Sequence, residues 1–173
     1  AAIPRESCAY TFLDSGTPGS TTYHVQRWPA ARRPVNFVGD SGNWNGGAGG
    51  VTLSGAQAVA MIQSNLAAWN AVATAADIGG SASASGVDYT GANVGNWYGN
   101  GQNQIMFDND GTLAANISLP FTVLGVTFNL WNTNTGELLE SDILIGNVAG
   151  YPNNGIENDY RAIALHEIGH AFA

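Results

Sequence analysis

Apolar residues recur at two different periods along this chain, and the two periods mark out its elements. Val59, Ile62, Leu66, Trp69 and Ala73 fall three or four positions apart, which lays one apolar stripe along a helix. Ser54 and Gln57 precede that run at the spacing of a capping box, so a helix is expected over 54–76. Ala162, Leu165, Gly169 and Phe172 repeat the helical spacing. They predict a second long helix starting near residue 159, with Asn158 or Asp159 as its cap.

Short apolar runs bounded by Gly, Asn and Asp read as strands at 34–38, 104–107, 121–128 and 137–145. The turn residues of 132–136 join the last two as a hairpin. Residues 10–13 suggest a further short strand, and 23–28 alternates before Pro29. The Gly-, Ser-, Ala- and Asn-rich segment 79–102 reads as a long loop with at most a short strand near 87–89, and 146–158 reads as loop. The order is strand, helix, strand, strand, hairpin, helix. It implies an α+β (α/β-like) fold: a twisted mixed, mostly parallel sheet with one antiparallel edge strand, flanked by the two long helices as outer layers.

Composition narrows the classes of function. The 173 residues suffice for one domain with a sizeable core. Charged residues make up only 10%, the formal net charge is −8, and all five basic residues are Arg. That balance argues against a nucleic-acid partner. No run is long and apolar enough to predict a membrane span, so no membrane partner is expected. The 23 Gly, with abundant Asn, Ser and Thr, fit a secreted protein of bacterial type.

Chemistry concentrates at the end of the chain, in Ala164-Leu165-His166-Glu167-Ile168-Gly169-His170. Residues four apart on a helix share a face, so His166 and His170 project side by side and offer two neutral nitrogens to a zinc ion. Glu167 stands beside the first of them, where a carboxylate can serve as general base toward water. The competing reading is a buried helix with polar residues on its rim. Catalytic zinc takes three protein ligands, and only Ala171, Phe172 and Ala173 follow His170. Either the natural chain continues, or the site is supplied from elsewhere, or it is dead; these residues alone are expected to bind zinc weakly, and the final helix to fray for want of a cap.

Other candidates are weaker. Asp108-Asn109-Asp110-Gly111 could contribute to a calcium site, but the other ligands of an EF-hand loop are missing and a simple turn is favoured. His24 reads as a packed or surface residue rather than a ligand. Two glycine-rich runs, around Trp44 and Trp97, read as turns with one Trp tucked back or as carbohydrate-contacting loops. Cys8 has three readings: half of a disulfide, a plain thiol, or a thiolate that caps the zinc.

Together these features resemble the metzincin zinc proteases, and among them the bacterial matrixin-like branch. The likeness rests on Tyr23 to Trp28 with Pro29, the helix around Ala67-Ala68-Trp69, Val123-Leu124-Gly125-Val126-Thr127, Gly136-Glu137 through Glu140-Ser141-Asp142-Ile143, and the His-Glu-x-x-His stretch. Only the last is specific. The family pattern continues with a Gly and a third His, and Ala173 stands at the Gly position. The resemblance implies a zincin-like fold, in which 1–22 is an N-terminal extension and 23–173 the N-terminal subdomain of a catalytic domain. It implies catalytic zinc on His166 and His170, Glu167 as catalytic base, and secretion. It also implies a polypeptide substrate extended along an edge strand at Val123, Leu124, Gly125 and Val126. No structural zinc is expected, and oligomeric state is open. The rival enzyme reading is a zincin whose third ligand is a distant Glu. The rival non-enzyme reading is a catalytically incomplete protease-fold binding or scaffolding protein that works through its Trp-bearing loops.

Overall fold

The structure, a computed structural model, describes residues 26–45, 52–72, 80–84, 86–93, 97–120, 123–146 and 156–172. The extension 1–22, the strand expected at 10–13, Cys8 and His24 lie outside them. The elements follow the chain as β1 (Asn36–Gly39), β2 (Trp44–Asn45), β3 (Thr52–Leu53), α1 (Gly55–Asn70), β4 (Ser81–Ala84), β5 (Asn103–Asp108), α2 (Thr112–Asn116), β6 (Gly125–Trp131), β7 (Leu138–Gly146) and α3 (Ile156–Phe172). Among the described residues no helix is long and apolar enough to cross a membrane.

The capping box forms as its spacing predicts. Ser54 Oγ accepts from the Gln57 N–H at 3.3 Å, and Gln57 Oε1 accepts from the Ser54 N–H at 2.9 Å. Such a cap contributes about 1 kcal/mol. The helix stops at Asn70 instead of running to 76, because the Asn70 amide clasps Gly80: it accepts from the Gly80 N–H at 2.8 Å and donates to the Gly80 carbonyl at 3.1 Å. That clasp turns the chain into β4.

Five strands make a mixed sheet in the order β4-β1-β5-β7-β6. The first four run parallel, and β6 pairs antiparallel with β7 at one edge, joined by the turn at 132–136. The antiparallel edge strand and the hairpin stand as expected. Two corrections concern strands. The segment 87–89 is not a strand; the strand of that region is β4, which pairs through its backbone with β1. Of the strand expected at 121–128, β6 begins at Gly125, and residues 121 and 122 lie outside the described residues.

The layering also differs from expectation. In β5, Ile105 and Phe107 join the main core and Met106 joins a second cluster; in β7, Ile143 and Ile145 join the main core and Leu144 the second. Because strand side chains alternate between faces, these two clusters are the two faces of the sheet. Ile62 and Leu66 of α1 and Ala164, Ile168 and Ala171 of α3 belong to the main core. Both long helices therefore cover one face, side by side, rather than flanking the sheet. Short α2, through Leu113, and the loop residues Tyr89 and Trp97 cover the other face.

The final helix starts at Ile156, so Asn158 and Asp159 lie inside it rather than capping it. Its inward stripe is rotated from the expected one. Tyr160, Ala164, Ile168, Ala171 and Phe172 are buried, whereas Ala162 is exposed and Leu165 only half-buried.

Candidate metal centre

Three neighbours strap α3 in place through its own carbonyls. From α1, Asn65 Nδ2 donates to Arg161 O at 2.9 Å and Trp69 Nε1 donates to Leu165 O at 2.9 Å. From β6, the Asn129 amide donates to His170 O at 3.1 Å. Trp28 Nε1 donates to Ala171 O at 2.6 Å across 143 residues of chain. The last carbonyls of a helix have no intrahelical partner. Here Asn129 and Trp28 supply two, so the expectation of an uncapped, fraying last turn is corrected.

This strapping fixes the rotation of the helix and hence the direction of its polar side chains. His166 is exposed and His170 half-buried. Their Nε2 atoms lie 3.1 Å apart, with the rings nearly perpendicular at 84°. Two Zn–N bonds of about 2.0–2.1 Å at a tetrahedral angle span about 3.3 Å. The separation is close to that of two corners of a zinc site, and equally that of a hydrogen bond between the two rings. Among the described residues no group of three or more His, Cys, Asp or Glu side chains able to hold a metal is assembled.

Glu167 turns the other way, toward β6, and is only 6% exposed. The Thr127 hydroxyl lies 2.8 Å from Glu167 Oε2 and 2.9 Å from the Glu167 main-chain O, so its single proton serves one or the other. A Cβ at Gly125 would sit 2.8 Å from Glu167 Cγ and 2.8 Å from Ile163 Cγ2. Gly125 is therefore a point of close approach between helix and strand. Gly125→Ala is expected to push the Glu167 carboxylate out of its seat and to lower stability by about 1–3 kcal/mol, read as a lower urea midpoint.

The four residues expected to meet a substrate divide. Gly125 and Val126 are in β6; Val123 and Leu124 lead into it, with Leu124 O accepting from the Gly146 N–H at 2.9 Å. That bond and the register (Val126 opposite Leu144) turn the main-chain groups of Leu124, Val126 and Phe128 toward β7. Antiparallel alternation then turns those of Gly125, Thr127 and Asn129 to the outer edge of the sheet. Their side-chain positions face α3, while Val126 and Phe128 pack on the opposite face. Reasoning from sequence missed Thr127, Asn129 and Trp28. The period-2 alternation of Gly125, Thr127 and Asn129 against Val126, Phe128 and Leu130 was the available signal for the first two.

The other candidates find structural work. Asp108 accepts from the Leu113 and Ala114 N–H groups at 3.0 and 2.9 Å, and Asp110 Oδ1 from the Thr112 N–H and hydroxyl at 3.0 and 2.6 Å. These carboxylates serve the first turn of α2, as a turn would use them. Trp44 is fully buried, stacked on Phe107 at 4.9 Å, so its indole offers no surface contact. Trp97 rests edge-on against Phe128 at 4.9 Å. No protein-family model, curated protein or solved structure matches this chain.

Proposed function

We propose that this protein is a secreted, zinc-dependent endopeptidase of metzincin type. The observation that carries the reading is the approach of His166 Nε2 and His170 Nε2 to 3.1 Å on one face of α3. His166 and His170 would hold the metal, with a third ligand from outside the described residues. A zinc ion bound there supplies Lewis-acid polarisation of a carbonyl and of water.

The chain's own residues do the rest. Glu167 accepts a proton from the attacking water at a carboxylate oxygen and delivers it to the departing amine nitrogen. The Thr127 hydroxyl and the absent side chain at Gly125 set where that carboxylate rests. The outward main-chain groups of Gly125, Thr127 and Asn129 offer an extended polypeptide a row of backbone hydrogen bonds, leading its chain past the histidine face of α3. Trp44 is buried, so its indole is not available to the scaffolding alternative, in which the Trp-bearing loops do the work.

The test is anomalous diffraction at the zinc edge from zinc-loaded crystals. The expected result is a single strong peak at bonding distance, about 2.0–2.1 Å, from both Nε2 atoms. A peak that touches neither imidazole, with none between them, overturns the reading.

A further inference from the structure

A second set of titratable groups lies on the opposite face of the sheet from α3, on β7. Glu140 is 2% exposed and Asp142 is fully buried. They are two residues apart on one strand and so point the same way. Glu140 is anchored through both oxygens: Oε1 accepts from the Gly99 N–H at 2.5 Å, and Oε2 accepts from the Gly101 N–H. Both glycines have left-handed backbone, φ +81° and +79°, which lets successive N–H groups of this loop aim at one carboxylate. Asp142 Oδ1 accepts from the Gln104 N–H at 3.0 Å, whereas its Oδ2 has no conventional donor. An ionised carboxylate oxygen left buried without a donor is costly, and a second ionised carboxylate beside it makes it more so.

A proton on Asp142 removes both costs. We propose that Glu140 and Asp142 share one proton and act as a latch that fastens the loop of residues 97–101, and with it Trp97, onto the sheet behind β6. Trp97 packs edge-on against Phe128 at 4.9 Å, and Phe128 neighbours Thr127 in the strand, so the latch also braces β6 from behind. Burial, then the hydrogen bond and charge of Glu140, push the Asp142 carboxyl up to about 9; the Gln104 N–H pulls weakly the other way. Among the described residues, two tyrosines lie near the pair. Tyr98 is raised by burial and then by Glu140 and Asp142, and the Tyr89 hydroxyl accepts from Gln104 Nε2. The latch is closed through the neutral range. It opens as hydroxide removes the shared proton, leaving two buried anions to repel each other. The inference stands independently of zinc.

The linkage has a definite sign. The folded-state value lies above the ordinary 3.8, so the proton's contribution to stability is complete below that value and is lost as pH rises toward about 9. The test is carboxyl ¹³C NMR of the whole chain, with the Gly99 and Gly101 amide protons followed in parallel. The expected result is an Asp142 midpoint near pH 9, shared by upfield movement of both amide protons. In Asp142→Asn the side-chain amide donates to Glu140 without titrating. That variant should keep the two amide shifts at pH 7 and lose the alkaline step. Tyr98→Phe should retain the step, separating it from tyrosine ionisation. An Asp142 carboxyl that titrates below pH 6 in the unaltered chain overturns the proposal, whether or not Asp142→Asn folds. So does an alkaline step that persists in Asp142→Asn.

Discussion

Glu167→Gln is expected to keep the metal and to lower peptide hydrolysis by about 10²–10⁴-fold, the usual contribution of a positioned general base. The two side chains have nearly the same shape, and the seat between Gly125, Ile163 and Thr127 is shaped to the glutamate. A glutamine fits it, and its carbonyl oxygen still accepts from the Thr127 hydroxyl. What the amide cannot do is take a proton from water. The loss should therefore fall on kcat with KM little changed, as for an interaction made in the transition state alone. Steady-state kinetics on a fluorogenic peptide, with zinc content measured on the same samples, reads both quantities. Equal rates for the variant and the parent would remove Glu167 from the mechanism.

The second large effect is on the metal itself. His166→Ala and His170→Ala should each weaken zinc binding by more than the about 10–100-fold typical of losing a mere supporting contact to a ligand. Both variants should still fold. His166 is exposed, and His170 holds Asn129 through its main-chain carbonyl, which survives truncation of the ring. The unfolding free energy of His166→Ala should stay within about 0.5 kcal/mol of the parent in metal-free buffer, as for a surface substitution. Competition with a zinc-responsive dye gives the affinities, and chemical denaturation gives the stabilities. Unchanged zinc affinity in both variants would move the metal away from this helix.

What was legible in the sequence was whatever local spacing encodes. The capping box at Ser54 and Gln57, the hairpin turn at 132–136, and the antiparallel edge strand follow from neighbours in the chain. So does the side-by-side projection of His166 and His170, because a helix fixes it. What was not legible depends on partners distant in sequence. An apolar stripe says that a helix has a buried side, but not which face of the sheet receives it, so α1 and α3 were placed on opposite faces. Ser81-Ala82-Ser83-Ala84 carries no apolar alternation; it is a strand because β1 offers it a backbone to pair with. Helix α3 was expected to fray because Trp28, which caps Ala171, lies 143 residues away. Thr127 and Asn129 are polar residues in an apolar run, and such residues are ordinarily assigned to solvent. Here they face a helix and hold it. The stripe on α3 was misjudged for the same reason: Glu167, a charged residue, is among its most buried side chains.

The central claim is that peptide hydrolysis depends on one zinc ion at His166 and His170. Its most direct test is the hydrolysis rate of metal-stripped protein as zinc is titrated back, recorded against bound zinc per chain. The account predicts a rate that rises in proportion to occupancy and stops rising at one zinc per chain. Hydrolysis that proceeds without zinc, or full occupancy with no hydrolysis of any peptide tried, would contradict it.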